Sequence, residues 1–414
     1  MPAPQVNLTA RELRAVLDDC FRPSSRGRVG IEAEWFVVAC DDPRRAVPMD
    51  RVLEVCADTR PRLDSRLTFE PGGQVELSSP PGEGIDAAAR TLADDAAVLR
   101  DALACEGLAM VALGLDPQRP RCRVLDTARY RAMAAYFDNE WPSGAAMMCA
   151  TASVQVNLDI GAAADVDARW DVAHALGPTL AAAFANSPIE EGRPSGWRST
   201  RLAVWLALDP TRTTPVASSL APARAWEQYV LDARVMLVRH SDDDFEPALR
   251  PLTFRSWMEG DPAWGYPTMD DLRYHLTTLF PPVRPRGWLE LRMFDALPDP
   301  WWKVAAAVTT ALLDDAEARE RAGHAVERAR DMWREAARHA VQHPILARAA
   351  RDCFAAALDA LVRLGVDPAT VDLVAEYRDR YVARGRCPAD DRLAEWTRDG
   401  RQWPAPSDRP RERA

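Results

Sequence analysis

Four short segments share one pattern, apolar side chains alternating with Glu, Gln, Asn or Arg. In GIEAEWF the polar positions are Glu32 and Glu34, and in QVELS they are Gln74 and Glu76, set against Val75 and Leu77. In ASVQVNLDI, Ser153, Gln155, Asn157 and Asp159 alternate with Val154, Val156 and Leu158; in GWLELRMF, Glu290 and Arg292 alternate with Leu289, Leu291 and Met293. Successive side chains of a strand point to opposite faces, so each segment predicts a strand with one apolar and one polar face. RLTFE, at residues 66–70, is a further strand candidate.

Helical spacing fills much of the rest. Residues 8–20 are amphipathic behind Thr9, a suitable N-cap, and alanine-rich runs at 86–105 and 165–185 suit helices packed on one face of the sheet. From Pro300 to Gly365 the chain is helical in type with a break at Pro344, and another helix is expected over 371–383. Strands and helices do not alternate strictly, and neither G-x-x-x-x-G-K-[ST] nor G-x-G-x-x-G occurs. The pattern predicts an α+β fold and disfavours P-loop and Rossmann nucleotide sites.

A single such strand is most simply one whose polar side faces water. Four of them, carrying Glu, Gln and Asn with almost none of the Thr and Lys of an ordinary wet sheet, point to chemistry. If the strands are neighbours, several carboxylates crowd together and raise one another's pKa unless a cation neutralises them. Oxygen ligands without clustered Cys or His suit a hard ion, Mg2+ or Mn2+, which keeps waters and bridges phosphates. That predicts ATP chemistry, with Arg292, on the face of Glu290, meeting a transferring phosphoryl group.

Composition narrows the partners. The 414 residues are 47% hydrophobic and 28% charged, with a formal charge of -10, so a soluble globular protein without generic nucleic-acid affinity is expected. Neither a secretory signal nor a membrane span is visible, which predicts a cytoplasmic location. The eight cysteines form no C-x-x-C pair and are expected as free thiols. Of the 52 basic residues only Lys303 is a lysine, so a lysine-dependent step has one candidate.

GIEAEWF, FEPGGQVELSSPP, TASVQVNLD, FANSP, SGWRSTR, YHLTTLFPPVRPRGWLELR and RGRCPADDRL together resemble glutamate-cysteine ligases of the plant and bacterial type, most of all the actinobacterial members that serve ergothioneine synthesis. The resemblance spans roughly residues 28–395. It implies the glutamine synthetase and guanidino kinase fold, a curved, mostly antiparallel sheet whose concave face holds metal while helices cover the other side. The implied reaction moves the ATP γ-phosphoryl to the γ-carboxylate of glutamate, after which the amine of cysteine displaces phosphate. Implied metal ligands are Glu32, Glu34, Glu70, Glu76 and Glu290. Arg292 matches the arginine on the phosphoryl group, Arg198 the one on the glutamate α-carboxylate with Arg201 able to exchange roles, and Gln155 and Asn157 face ATP.

These readings predict one ligase domain over residues 1–395, mainly helical from 300 to 385, and a flexible tail over 396–414. Expected partners are L-glutamate, L-cysteine and ATP, with no nucleic acid, membrane or obligate protein partner. A ligase joining glutamate to another amine, or a guanidino kinase-like phosphotransferase, is the alternative. His275 is expected in a packed or capping role, and Cys149 as a core residue.

Overall fold

The computed structural model describes residues 7–24, 27–216, 220–401 and 403. Its centre is an eight-stranded sheet: β1 Arg28–Ala39, β2 Arg66–Phe69, β3 Val75–Ser78, β4 Gly82–Glu83, β5 Leu108–Val111, β6 Ser153–Asp159, β7 Val283–Pro285 and β8 Trp288–Asp295. The order is β7-β8-β6-β1-β3-β2, with β4 and β5 also on β1. Every pairing is antiparallel. All five strand candidates lie in this one sheet, while β4 and β7, of two and three residues, are too short to show alternation and β5, LAMV, is apolar throughout.

β1 is the spine. It pairs with β6 through Val29–Ala33, with β3 through Glu32–Trp35 and with β5 through Phe36–Ala39. Its apolar positions Val29, Ile31, Ala33 and Trp35 are buried, as are Val75, Leu77, Val154, Val156, Leu158, Leu289 and Leu291 from its neighbours. Helices Ile85–Cys105, Val166–Ala183 and Trp301–Asp314 pack against the sheet, their alanines letting the backbones approach closely.

The C-terminal part is helical as expected, through Ala316–Val326, Trp333–His339, Pro344–Arg363, Pro368–Arg380 and Pro388–Asp399. Pro344 does not sit inside a helix; it opens one at the first turn, where its missing N–H costs nothing. The tail expected from residue 396 starts in helix, which runs to Asp399, and Trp403 is 5% exposed, edge-on to Phe36 and beneath Arg119. Residues 404–414 lie outside the described part of the chain. At the other end, Thr9 caps Ala10–Asp19 in a reciprocal pair with Glu12.

Candidate active site

Register decides which polar side chains meet. Across β1 and β3, Glu34 lies opposite Glu76; across β1 and β6, Glu32 lies opposite Gln155; across β6 and β8, Asn157 lies opposite Glu290. The four two-faced strands therefore present their polar sides together.

Each carboxylate has its own holder. Glu34, 8% exposed, accepts from the Ser153 hydroxyl at 2.7 Å, the Ser153 amide at 3.0 Å and the Gln155 amide group at 3.4 Å. Glu76 accepts from Thr68 at 2.6 Å and Ser78 at 3.3 Å. Glu32 accepts from Asn157 at 2.9 Å, whose own oxygen takes the Trp288 indole N–H at 3.0 Å.

Glu70 arrives by a turn. Its amide donates to the Gln74 carbonyl at 2.9 Å and its carbonyl accepts from Gly73 at 2.8 Å, closing the connection from β2 to β3. Gly73 has φ 85°, in the left-handed region, and a Cβ on Gly72 would lie 2.1 Å from the Cys149 carbonyl oxygen. Only glycines fit there. The Gln74 side chain then donates to the Thr151 carbonyl at 2.7 Å and pins the turn beside β6.

These carboxyls are electrostatically unhappy together. Burial, then the charges of Glu290 and Glu76, raises Glu32 to about 7; burial, then Glu34 and Glu76, raises Glu70 to about 8. Glu34 and Glu76 are raised as well, chiefly by burial. Among the described residues no three His, Cys, Asp or Glu side chains are placed to hold a metal ion together. The donor chemistry nonetheless suits a hard divalent cation: four carboxylates, three on the sheet face and Glu70 on the adjoining turn, all with raised pKa.

Glu290 differs from the others. Burial works against its charge, but Arg284 and Arg292 outweigh that and hold it down to about 2. Both its oxygens accept from Arg284, one at 3.0 Å from Nη2, while Arg292 and Arg286 stand at 3.4 and 3.5 Å. As placed, this residue, expected as a metal ligand, is bound to arginine. Arg284 lies directly across from it on β7, a strand of three residues in which no alternation could be read.

Arg292 shares the face of Glu290 by alternation, and an irregularity at this point keeps Phe294 off that face. The register of β8 against β6 shifts by one between Leu291 and Phe294. The extra residue turns Phe294 into the core instead, as bulges beside active sites commonly re-aim a side chain. Arg292 donates to the Gln155 side-chain oxygen. Gln155 is thus held between Arg292 and Glu34, and Asn157 between Glu32 and Trp288.

A cavity of about 190 Å³ opens over this face, lined by Glu34, Glu70, Ser153, Gln155, Arg201 and Arg292. It is also lined by Arg129, Tyr130, Met133, Met147, Met148 and Trp205, which no sequence pattern singled out, and by Phe280 of the YHLTTLFPP stretch. Arg201, 4% exposed, donates to the Arg292 carbonyl at 3.0 Å. Arg198 is elsewhere: it donates to Asp390 at 2.9 Å and Gln342 at 3.1 Å, tying the last described helix to the body. Of the two arginines in SGWRSTR, it is Arg201 that lines this cavity, while Arg198 is paired with Asp390. His275 is packed, its Nε2 on the Val230 carbonyl at 3.0 Å and its ring stacked on Phe254. The eight cysteines are all unpaired, and Cys149, half-buried, backs the Gly72 turn.

A sheet that shows carboxylates and arginines to a cavity on one side and carries helices on the other has the charge of a pocket suited to highly charged small molecules. The family model for glutamate-cysteine ligase family 2 (GCS2) matches residues 28–405, and the chain belongs to that family of ligases. It is 44% identical over 374 residues to glutamate–cysteine ligase EgtA of Mycolicibacterium smegmatis, covering 88% of this chain and 86% of that protein. It is 42% identical over 386 residues to the EgtA of Mycobacterium tuberculosis, covering 91% and 88%. The chloroplastic glutamate–cysteine ligase of Nicotiana tabacum is 29% identical over 324 residues, 72% of this chain and 61% of that one.

Among solved structures, the glutamate–cysteine ligase of Francisella tularensis, in complex with AMP, superposes with a TM-score of 0.57 at 13% identity over 91% of this chain and 86% of that one. The bifunctional glutathione synthetase of Pasteurella multocida gives 0.56 at 16% identity over 95% and 52%. At those identities the likeness is one of fold, and it agrees with the glutamine synthetase-like architecture expected.

Proposed function

We propose that this ligase joins the γ-carboxylate of glutamate to the amine of cysteine at the expense of ATP, through a γ-glutamyl phosphate, and that the product feeds ergothioneine synthesis. The observation that carries the reading is the meeting of Glu34, Glu70, Arg201 and Arg292 on one cavity, in a chain 42–44% identical to glutamate–cysteine ligases. In the first step a γ-carboxylate oxygen bonds to the terminal phosphorus and ADP departs. In the second the neutral amine of cysteine bonds to the activated carbon, the C–O bond to phosphate breaks, and the nitrogen gives up one proton, to the departing phosphate or to water.

Glu32, Glu34, Glu70 and Glu76 would hold Mg2+ or Mn2+, which when bound neutralises phosphate oxygens and eases charge transfer onto ADP. The chain's own groups do the rest. Arg292, steadied by Gln155 and Glu290, offers a planar fork to the phosphoryl group in flight. Arg201, buried beside Glu34, receives the α-carboxylate of glutamate. Gln155 and Asn157 keep Glu34 and Glu32 oriented beneath the nucleotide phosphates. Glu290 anchors Arg284 and Arg292.

The test is a product assay by mass spectrometry with glutamate, cysteine, ATP and Mg2+. ADP, phosphate and γ-glutamylcysteine are expected, each dependent on both amino acids. Formation of AMP, or ATP turnover without glutamate, overturns the acyl-phosphate route; an amide formed equally well with other amines overturns the choice of cysteine.

A further inference from the structure

Asp295 ends β8 just past the bulge and is 1% exposed. One of its oxygens accepts from the Asn186 amide and the Ser187 hydroxyl, both at 2.7 Å, and the other from the Ser199 hydroxyl at 2.8 Å. Both serines pass the connection on. The Ser187 oxygen accepts from the Arg201 amide at 3.1 Å, and the Ser199 oxygen accepts from the Leu202 amide at 3.0 Å as N-cap of the helix Thr200–Leu206 that carries Arg201.

The link continues at the side chain. Burial holds the Arg201 guanidinium below its ordinary value, against which the charges of Asp295 and then Glu34 favour its cationic form while Arg292 opposes it. Glu34 faces the cavity; Asp295 is sealed from solvent. The room for its carboxylate is reserved: a Cβ on Gly114 would stand 2.4 Å from the Asp295 carboxyl carbon. A buried acid that fixes an arginine's backbone through two hydroxyls and compensates its charge does more than fill a core, since an apolar residue of the same size would fill it as well.

We infer that Asp295 is the positioning residue of the glutamate site: it fixes the backbone of Arg201 and compensates its charge, so that the guanidinium presents its fork to the α-carboxylate. This rests on the role given to Arg201 above. Three connections converge on one acid, and removing its charge should act on the one substrate that Arg201 binds.

The experiment compares the full-length enzyme with Asp295→Asn, Ser187→Ala, Arg201→Lys and the Asp295→Asn/Arg201→Lys double variant, by steady-state kinetics for all three substrates and by thermal shift with glutamate alone. Asp295→Asn should raise the glutamate KM by about tenfold, the scale of a lost charge-assisted hydrogen bond. Its kcat and its KM for ATP should stay within about threefold, and the glutamate-induced rise in melting temperature should shrink. Ser187→Ala, which leaves the acid in place, should raise the glutamate KM by about threefold. In the double variant the two effects should combine to less than their product, because both act through one guanidinium.

Equal losses across kcat and every KM, or effects that multiply in the double variant, overturn the inference and leave Asp295 a structural residue. If Asp295→Asn does not fold, Ser187→Ala decides: an unchanged glutamate KM overturns it. Wild-type turnover that needs no glutamate overturns the function proposed above, whereas glutamate-dependent wild type with indifferent variants overturns the role of Asp295 alone.

Discussion

At the scale of single residues the proposed reaction divides the site into groups that would bind and groups that would act on developing charge. Arg292→Lys replaces a planar two-pronged donor with one compact charge, and losing a preorganised donor at the transferring group costs about 10²- to 10³-fold in kcat. The glutamate KM should hardly move. Arg201→Lys should show the reverse, a higher glutamate KM with kcat largely kept, because an α-carboxylate carries the same charge throughout the reaction. Kinetics on the two variants check this, and a large glutamate KM rise confined to Arg292→Lys means the two roles are interchanged. The sequence gives little help in choosing the binding arginine, since Arg198 and Arg201 both stand in SGWRSTR. What separates them is the Ser199 cap, which turns Arg201 toward β8 and leaves Arg198 facing Asp390.

At the scale of the sheet, raised carboxyls make a prediction about stability. Glu32 at about 7 and Glu70 at about 8 lie above their ordinary value of 4.5. Between those values the folded protein holds more protons than the unfolded chain, so these two groups make the metal-free fold less stable as pH rises through that window. His174 and His275, pushed down to about 4 and about 3 by burial, act oppositely and favour folding as pH rises toward 6.5. The readout is therefore a difference between proteins. Without metal, Glu70→Gln should gain in thermal midpoint over wild type as pH climbs from about 5 to about 8, and saturating Mg2+ should erase that gain by binding the ionised wild type. A gap that stays constant across the range, or that Mg2+ leaves untouched, contradicts the assignment of Glu70 to the cation. The strands behind this prediction were legible because alternation is local and spans the four to twelve residues of β1, β3, β6 and β8. Arg284 was hidden because a three-residue strand has no period, and the bulge was hidden because an inserted residue registers only against a partner strand.

At the scale of the whole molecule, the sequence showed the class of fold but not the helical part of the cavity's lining. Tyr130, Met133, Met147 and Met148 come from helices Ala128–Glu140 and Gly144–Ala150, and Trp205 from Thr200–Leu206. Aromatic and methionine side chains at helical spacing look alike whether they fill a core or face a cavity. At the C-terminal end a Pro-rich, charged stretch looks solvated, yet Trp403 lies edge-on to Phe36, two positions beyond Glu34 on β1. Trp403→Ala should cost about 3 kcal/mol, read as a lower denaturant midpoint at unchanged slope. A midpoint equal to wild type means that Trp403 contributes no packing.

β1 takes its partners from near residues 75, 108 and 153, and β6 takes β8 from near residue 290, so the groups on the cavity come from stretches scattered over most of the chain. No contiguous piece short of that whole span owns a site. The enzyme cannot be pared down to a minimal catalytic fragment, and a cut in the exposed His240–Asp244 turn leaves one piece with Glu32, Glu34, Glu70, Glu76 and Arg201 and another with Glu290 and Arg292. On the proposed site each such piece is expected to be inert, which would make activity itself a reporter of their reunion.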